Sequence, residues 1–255
     1  MPNSHLLLWL EAPLQSWGAD SKFNRRETLP FPTRSGVLGM VFAAMGAGGS
    51  QSELLARFLG LRQAVVSFAR MDKKSQRIAD ETVMSDTINR ASHGEPLLRD
   101  FHMIGAGYDM DDPWQSLLVP KKSDGKKPSG DVSGVTITAR YYLQDAAFAV
   151  SLEVPGDLSE SISSALQHPV WDVYLGRRCC APTDMIYRGQ FSSEDEALDR
   201  AAAIAEEKHR VENFRVIDGV VEDGDGESFT INDVPVQFGE EKVYTERKVS
   251  LIHVQ

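Results

Sequence analysis

A strand-like run, a connection rich in arginine and proline, and an apolar helical pattern follow one another at the start of the chain. No other segment constrains the fold as strongly. Leu6–Leu10 is apolar enough for a buried strand, which we extend to His5–Glu11. Gly36–Met45 has the apolar spacing of a helix that packs on a core. The β-branched run Gln63–Met71 predicts a second strand, so a strand, a helix and a strand open the fold.

The mixed pattern continues after a long polar excursion. Residues 72–135 carry no helical period, and Lys121–Gly130 has the lysine, glycine and proline content of a turn-rich tip. We further predict a helix in Ser52–Leu59, one or two strands in Val135–Leu152, a helix in Asp157–Gln167, a strand in Ile186–Phe191, a helix in Ser193–Lys208 and strand-like runs from Val211 to Val254. This order is typical of an α+β, ferredoxin-like unit that carries an insertion.

The start of the first helix is a candidate anion site. Either Ser35 or Thr33 can cap the helix, and Arg34 would add a guanidinium suited to phosphate. A helix start also presents unpaired N–H groups and the positive end of the helix dipole. The alternative is an ordinary capped core helix with Arg34 in solvent.

A second candidate site is the segment Tyr174-Leu-Gly176-Arg177-Arg178. Glycine lets backbone approach a ligand closely, and paired arginines suit phosphates. The alternative is a surface turn. The adjacent Cys179 and Cys180 are interpreted as packing residues rather than nucleophiles.

Three separated motifs resemble the CasD family of the type I-E CRISPR surveillance complex, Cascade. The first is P-L-Q-S-W-G followed by R-x-T-x-x-F-P-T-R-S-G-V-L-G, the second L-R-D-F-H at Leu98–His102, and the third Y-L-G-R-R-C-C-A-P at Tyr174–Pro182. They occur in the family's order, and the likeness runs from about residue 5 to 191. The third motif departs at Cys179, where the family pattern has serine.

The resemblance implies a modified RNA-recognition fold with an inserted β-hairpin thumb. It implies a single elaborated domain over 1–255, with a core of about 1–71 and 136–192, a thumb of about 72–135, and C-terminal helix and strands of about 193–255. It also implies a non-catalytic subunit that binds the 5′ handle of the CRISPR guide RNA and caps the backbone filament. Its partners would be the guide RNA, the backbone and large subunits and, indirectly, target DNA.

The alternative function is a metal-independent endoribonuclease that processes CRISPR precursor RNA. A third possibility is an assembly subunit that contacts only protein. His102 could move protons there, with Arg99, Asp100 and Tyr108 nearby. We prefer RNA or partner contact for His102, with a structural histidine as a further alternative. Trp17 could stack on a base or anchor its loop in the core. The candidate RNA-binding residues are Trp17, Arg25, Arg26, Thr33, Arg34, Ser35, Gly36, Arg99, His102, Tyr174, Gly176, Arg177 and Arg178.

The net charge of −10 is unusual for an RNA-binding protein, but it is unevenly distributed. Residues 193–246 contain 16 acidic and 5 basic residues, whereas residues 1–192 contain 21 acidic and 20 basic ones. Local clusters, not net charge, set the potential at a binding surface. The sequence shows no nucleotide-loop, zincin or hydrolase motif, so we expect no cofactor or metal. Two adjacent cysteines and no membrane-length apolar run favour a cytoplasmic protein with no membrane partner.

Overall fold

Helices and strands alternate through the chain in a computed structural model that describes residues 2–18, 24–70, 97–104, 111–114, 125–126, 136–221 and 226–254. The helices in these ranges are α1 (Arg34–Ala44), α2 (Ser52–Ala56), α3 (Ser159–Gln167) and α4 (Glu194–Glu207). No helix in the described ranges is long and apolar enough to cross a membrane. Ser193 caps α4 by accepting from the Glu196 N–H at 3.2 Å.

The strands are β1 (Ser4–Glu11), β2 (Leu14–Gln15), β3 (Trp17–Gly18), β4 (Arg25–Arg26), β5 (Thr28–Leu29), β6 (Gln63–Arg70), β7 (Leu98–Ile104), β8 (Thr136–Gln144), β9 (Ala147–Val154), β10 (Tyr187–Phe191), β11 (Arg210–Asp218), β12 (Gly226–Gln237) and β13 (Val243–His253). The predicted strand, helix and tail segments are confirmed, and Val135–Leu152 divides into β8 and β9. The sheet-rich mixture of helices and strands confirms the α+β class.

Seven strands form an antiparallel sheet in the order β10-β1-β9-β6-β11-β13-β12. Both faces of its centre are covered, which explains the unbroken apolar run in β1. Leu6, Leu8 and Leu10 pack in the core that also contains α1 and α3. Leu7 and Trp9 point to the opposite face, where they pack with α4, because successive side chains of a strand alternate between faces.

The first part of this sheet follows a β-α-β-β-α-β chain order. The elements are β1, α1, β6, β9, α3 and β10, and the four strands lie side by side as β10-β1-β9-β6. The chain leaves this pattern between β6 and β9, where residues 71–146 include β7 and β8. The predicted insertion therefore falls between the second and third strands of the unit.

A second, smaller sheet is built around β8. Its antiparallel partners are β7 and β2, and its parallel partner is β4. The chain passes from this sheet into the main one at Asp145, whose φ is 49° and whose N–H donates to the Pro13 carbonyl at 2.9 Å. The buried Gln15 amide fixes the same junction, since its Nε2 donates to the Leu10 and Ala146 carbonyls at 3.0 and 2.7 Å.

Candidate nucleic-acid interface

The start of α1 is occupied by groups of the protein itself. Thr33 is the N-cap, and its Oγ1 accepts from the Gly36 N–H at 3.2 Å. The Arg34 N–H donates to Oδ2 of Asp233 at 2.7 Å. Ser35 is not the cap, because its hydroxyl donates to Thr33 Oγ1 at 3.4 Å. The helix start does bind an anion, but that anion is a carboxylate of β12.

The Arg34 guanidinium lies inside a buried charge network and not in solvent. Its residue is 4% exposed. Nη1 pairs with Asp218 at 3.3 Å, while Nη2 donates to the Phe58 carbonyl at 2.8 Å and to the Leu61 carbonyl. Burial, which disfavours the charged form, lowers the pKa of Arg34, and Asp218 opposes that effect. The contacts of the Arg34 guanidinium therefore stabilise the fold.

Arg247 on β13 completes the network. Its Nε and Nη2 donate to the two Asp233 oxygens at 2.7 and 2.9 Å, and its Nη1 contacts Asp218. Burial alone would lower the pKa of Arg247, but the two aspartates outweigh it and raise the pKa. Two arginines and two aspartates thus tie the C-terminal strands to the start of α1. The expectation that Arg34 and this helix start are open to phosphate is corrected.

Trp17 also belongs to the core. It is 1% exposed, and its Nε1 donates to Gln15 Oε1 at 3.1 Å. A Cβ on Gly36 would lie 2.8 Å from the Trp17 ring, so the glycine leaves room for the indole. Of the two interpretations of Trp17, the structure favours the core anchor, because a ring in this position has no free face for a base.

The loop Tyr174–Pro182 joins the first motif through the backbone. Gly176 has a φ of 99°, and a Cβ there would lie 1.8 Å from the Ser16 carbonyl oxygen. The Ser16 N–H donates to the Leu175 carbonyl at 3.1 Å. The close approach that glycine permits is therefore to Ser16 and not to a ligand. Tyr174 is half-buried, and its hydroxyl donates to Asp172 at 3.3 Å.

Arg177 connects this loop to the small sheet. Nη2 donates to the Arg26 carbonyl on β4 at 2.9 Å, and Nη1 donates to the Tyr141 carbonyl on β8 at 3.2 Å. The guanidinium lies over the Tyr142 ring, 4.6 Å from its centroid. Arg177 therefore helps to hold β4 against β8, and its neighbour Arg178 is exposed.

One face of the small sheet, here called the aromatic face, is open to solvent. Residues paired across antiparallel strands point to the same side, which groups Arg99, Phe101 and Met103 of β7 with Ile137, Ala139 and Tyr141 of β8, and with Arg25 of β4. Phe101, Met103 and Ile137 are 60, 64 and 54% exposed. Arg99 lies 4.5 Å from the Phe101 ring centroid, and Arg25 lies 5.5 Å from that of Tyr141. Arginines beside exposed rings are typical of surfaces that stack bases.

The opposite face of the small sheet carries His102, whose Nε2 contacts the Asp100 carboxylate. Arg26 and Arg140 are paired in register on that side, and none of the described residues forms an ion pair with either, or with Arg178. Arg99 and His102 therefore face opposite sides of β7, although they are three residues apart. Within the described ranges no cluster of three His, Cys, Asp or Glu could hold a metal ion.

A further charged cluster lies where β1 meets the sheet junction. Glu11 accepts from Lys208 Nζ at 2.9 Å, from the buried Arg210 Nη2 at 2.7 Å and from Trp9 Nε1 at 2.9 Å. Burial alone would raise the pKa of Glu11, but these donors outweigh it and hold the pKa below its usual range. A cavity of about 440 Å³ opens beside Glu11, and the charges at its wall are already paired.

Sequence reasoning missed Arg140, Tyr141 and the apolar members of the aromatic face. The signal was present in the run T-I-T-A-R-Y-Y-L-Q, which alternates as a strand. Which of its faces stays uncovered depends on β4 and β7, which are distant in sequence. Tyr108 and most of Lys121–Gly130 lie outside the described residues, as does the insertion from 72 to 96.

Comparison with known proteins identifies the family to which the chain is similar. A family model described as CRISPR-associated protein (Cas_Cas5) matches residues 5–252. The CRISPR system Cascade subunit CasD of Escherichia coli (strain K12) is 32% identical over 197 residues, which is 75% of this chain and 73% of that protein. A chain of a solved CRISPR RNA-guided surveillance complex has a TM-score of 0.66 and 26% identity, and the match covers 98% of this chain and 90% of that one.

A crystal structure of a Cas protein shares the fold, with a TM-score of 0.54, 24% identity, and coverage of 98% of this chain and 94% of that one. The resemblance to CasD drawn from the three motifs is confirmed. The first and third motifs meet in space, since Gly176 packs on Ser16 and Arg177 donates to the Arg26 carbonyl. The second motif lies on β7, which pairs with β8, and Arg177 also contacts β8. This chain belongs to the CRISPR-associated protein (Cas_Cas5) family.

Proposed function

We propose that this chain is a CRISPR RNA-binding subunit of a type I-E-like Cascade surveillance complex in antiviral defence. It holds the 5′ handle of the guide RNA, caps the backbone filament and contacts the large subunit, and it meets target DNA only indirectly. It is not an enzyme in this role. The proposal follows from its family and from its likeness to a Cascade subunit and to a chain of a surveillance complex.

The fold fits this role if the β-α-β-β-α-β unit is a ferredoxin-like core. We assign residues of about 1–71 and 136–192 to that core and about 193–255 to a C-terminal region that packs on it. The thumb is about 72–135. The antiparallel β7–β8 pair supports this assignment, because β7 and β8 follow one another in the chain as the two strands of a hairpin do, and β2 and β4 pair with β8.

The observation that carries the proposal is that the small sheet presents arginines without described ion-pair partners and exposed apolar and aromatic side chains. Arg26, Arg140 and Arg178 supply positive charge and form no ion pair with a described carboxylate, although Asp100 lies opposite Arg140 on β7, whereas Arg34 and Arg247 are buried in ion pairs. The aromatic face adds exposed rings on the other side. Single-stranded RNA is held by this combination of backbone charges and stacking platforms. The proposed contact set is therefore narrower than the sequence suggested, without Trp17, Thr33, Arg34, Ser35, Gly36 and Gly176.

Salt dependence of guide-RNA binding tests the phosphate contacts. The double variant Arg26→Ala/Arg178→Ala should bind a 5′-handle RNA more weakly, and its slope of log K against log salt should shrink by about 0.7 for each lost contact. The matched control is Arg57→Ala/Arg200→Ala. It removes two exposed arginines outside the small sheet, which pair with Asp157 and Glu207. Equal slopes for both double variants would refute this contact set.

Stacking is tested separately with Phe101→Ala and Tyr141→Ala. Loss of one base–aromatic stack costs about 1–3 kcal/mol of binding free energy, with little change in the salt slope. The control is Val170→Ala, an exposed apolar residue on the α3–β10 connection. An unchanged affinity in both aromatic variants would assign the aromatic face to some other contact.

The endoribonuclease remains the second candidate because of the His102–Asp100 contact. A carboxylate beside an exposed histidine can orient it as a general acid or base. The purified chain without metal should leave a CRISPR repeat RNA intact, and His102→Ala should alter binding or assembly only. One specific cut that persists in EDTA and disappears in His102→Ala would establish the nuclease instead.

A further inference from the structure

The adjacent thiols of Cys179 and Cys180 lie beside the proposed RNA site, and neither has a role there. They are the chain's two cysteines, and both are free thiols. Their sulfurs are 4.0 Å apart. Cys179 is exposed, whereas Cys180 is 1% exposed and packs in the main core. An exposed thiol with a second thiol at its side is the arrangement of a sensor cysteine and its resolving partner.

We propose that Cys179 and Cys180 form an oxidisable dithiol, and that peroxides convert it to a disulfide between neighbouring residues. Cys179 Sγ takes one oxygen atom from the peroxide to give a sulfenic acid, and the peroxide leaves as water or an alcohol. Cys180 Sγ then attacks the Cys179 sulfur, the S–S bond forms, and the hydroxyl departs with the Cys180 thiol proton as a second water. Two thiols lose two electrons and two protons, which the peroxide accepts.

The order of these steps follows from the surroundings of each sulfur. Oxidation follows exposure, and only Cys179 is exposed. Burial, together with the nearby Cys179, raises the pKa of the Cys180 thiol to about 12, so Cys180 is a poor first nucleophile. Its contribution is proximity to the sulfenic acid.

The disulfide would be labile. Neighbouring Cα atoms across a trans peptide are about 3.8 Å apart, while disulfides usually join Cα atoms about 4.4–6.8 Å apart. A bond formed outside that range stores strain and is more easily reduced. A modification that ordinary thiols reverse is suited to a transient signal rather than to a permanent brace.

Four contacts link the dithiol to Arg177 and to the loop that carries it. The Cys179 thiol donates to the Tyr142 hydroxyl at 3.5 Å, and the Tyr142 ring supports the Arg177 guanidinium. The Cys180 N–H donates to the Arg177 carbonyl at 2.8 Å, and the Leu175 N–H donates to the Cys180 carbonyl at 2.8 Å. Bringing the two sulfurs to bonding distance draws Cys179 from Tyr142 and turns the peptide between these hydrogen bonds. Oxidation therefore displaces Arg177 and its neighbour Arg178.

The chemical test uses the full chain, reduced and then treated with hydrogen peroxide. Both cysteines lie in the tryptic peptide 179–188, whose mass should fall by two hydrogens relative to the same digest after dithiothreitol. This comparison cancels oxidation of Met185 in that peptide. Cys179→Ser, which leaves one buried thiol, should show no such change. Cys180→Ala should accumulate a sulfenic acid that dimedone traps. Direct formation of a sulfinic acid, a disulfide between chains, or no reaction at Cys179 would overturn the proposal.

The regulatory consequence rests on the proposed RNA-binding function and is measured separately. Peroxide should weaken binding of a 5′-handle RNA about tenfold, the cost of one charged contact of about 1.4 kcal/mol. Dithiothreitol should restore it, and Cys179→Ser should bind normally throughout. A disulfide that leaves the affinity unchanged would refute the coupling alone. Failure of the reduced chain and of Cys179→Ser to bind RNA would refute the proposed function, while the peptide masses would still decide the thiol chemistry.

Discussion

Arg34→Met should destabilise the protein strongly while leaving its RNA affinity intact. Methionine keeps much of the apolar stem and removes the guanidinium that pairs with Asp218 and donates to the Phe58 and Leu61 carbonyls. Removal of one partner from a buried ion pair costs about 3–5 kcal/mol. For a chain of this size each kcal/mol lowers Tm by about 2–4 °C, so the expected loss is about 6–20 °C. Chemical and thermal unfolding of both proteins measure it.

Arg178→Met is the matched control, because it makes the same substitution at an exposed arginine with no described partner. Its unfolding free energy should stay within about 0.5 kcal/mol of the parent, and its affinity for handle RNA should fall. RNA binding is compared at a temperature at which all three proteins are folded. If Arg34→Met unfolds like the parent but loses RNA affinity, the helix start is an anion site after all and the buried network is wrong.

Four further substitutions probe other contacts described above. Thr33→Ala should lower the free energy of unfolding by about 1 kcal/mol through the lost cap, whereas Ser35→Ala should change it by less than about 0.5 kcal/mol. Gly176→Ala should cost at least about 1–3 kcal/mol, because of its positive φ and the clash with the Ser16 carbonyl. Glu11→Gln should cost more at pH 7 than at pH 4, because the lowered pKa of Glu11 gives stability that is present above about pH 4.5 and is lost as the pH falls through the folded-state pKa.

Denaturant titrations check all four, with the Glu11 variant measured at both pH values. A larger loss in Ser35→Ala than in Thr33→Ala would reverse the assignment of the cap. A fully stable Gly176→Ala would mean that the loop can move away from Ser16. A pH-independent difference between Glu11→Gln and the parent would mean that the ion pairs with Lys208 and Arg210 add nothing to the acid sensitivity of the fold.

Local patterns predicted the elements well because they depend on neighbours in sequence. The apolar run of β1 and the spacing of α1 can be read from a dozen residues each, and the predicted helix start, Gly36, lies two residues after the observed start at Arg34. The groups that surround the start of α1 could not be predicted from the sequence, since Arg34 and the carboxylate that accepts from its N–H are 199 positions apart. Arg34 therefore looked like a phosphate ligand until β12 was placed beside it.

The candidate site shows the same difference between what local sequence predicts and what only the assembled fold determines. Arg25, Arg26, Arg177 and Arg178 were among the candidate RNA-binding residues, and the structure brings Arg25 and Arg26 of β4 beside the loop that carries the other two. Exposure decides which arginines can meet RNA, and exposure is a property of the assembled sheets. The sequence alone did not distinguish the exposed Arg178 from the buried Arg34. It also did not assign Arg99 and His102 to opposite faces of one strand.

The order of the strands in the main sheet bears on how the protein is made. β13 lies between β11 and β12, so β12 leaves the ribosome before the only described strand that can bind it. Asp233 is likewise synthesised before its partner Arg247, and the contacts at the first turn of α1 are complete only when both residues are in place. Synthesis proceeds from the N-terminus, and the earlier part of a chain can begin to fold first. Until Arg247 is available, however, the buried Asp233 beside the start of α1 lacks the guanidinium that pairs with it. A nascent chain stopped within β13 should therefore be a target for chaperones or proteases, and loss of a few late residues should cost the whole fold rather than one edge.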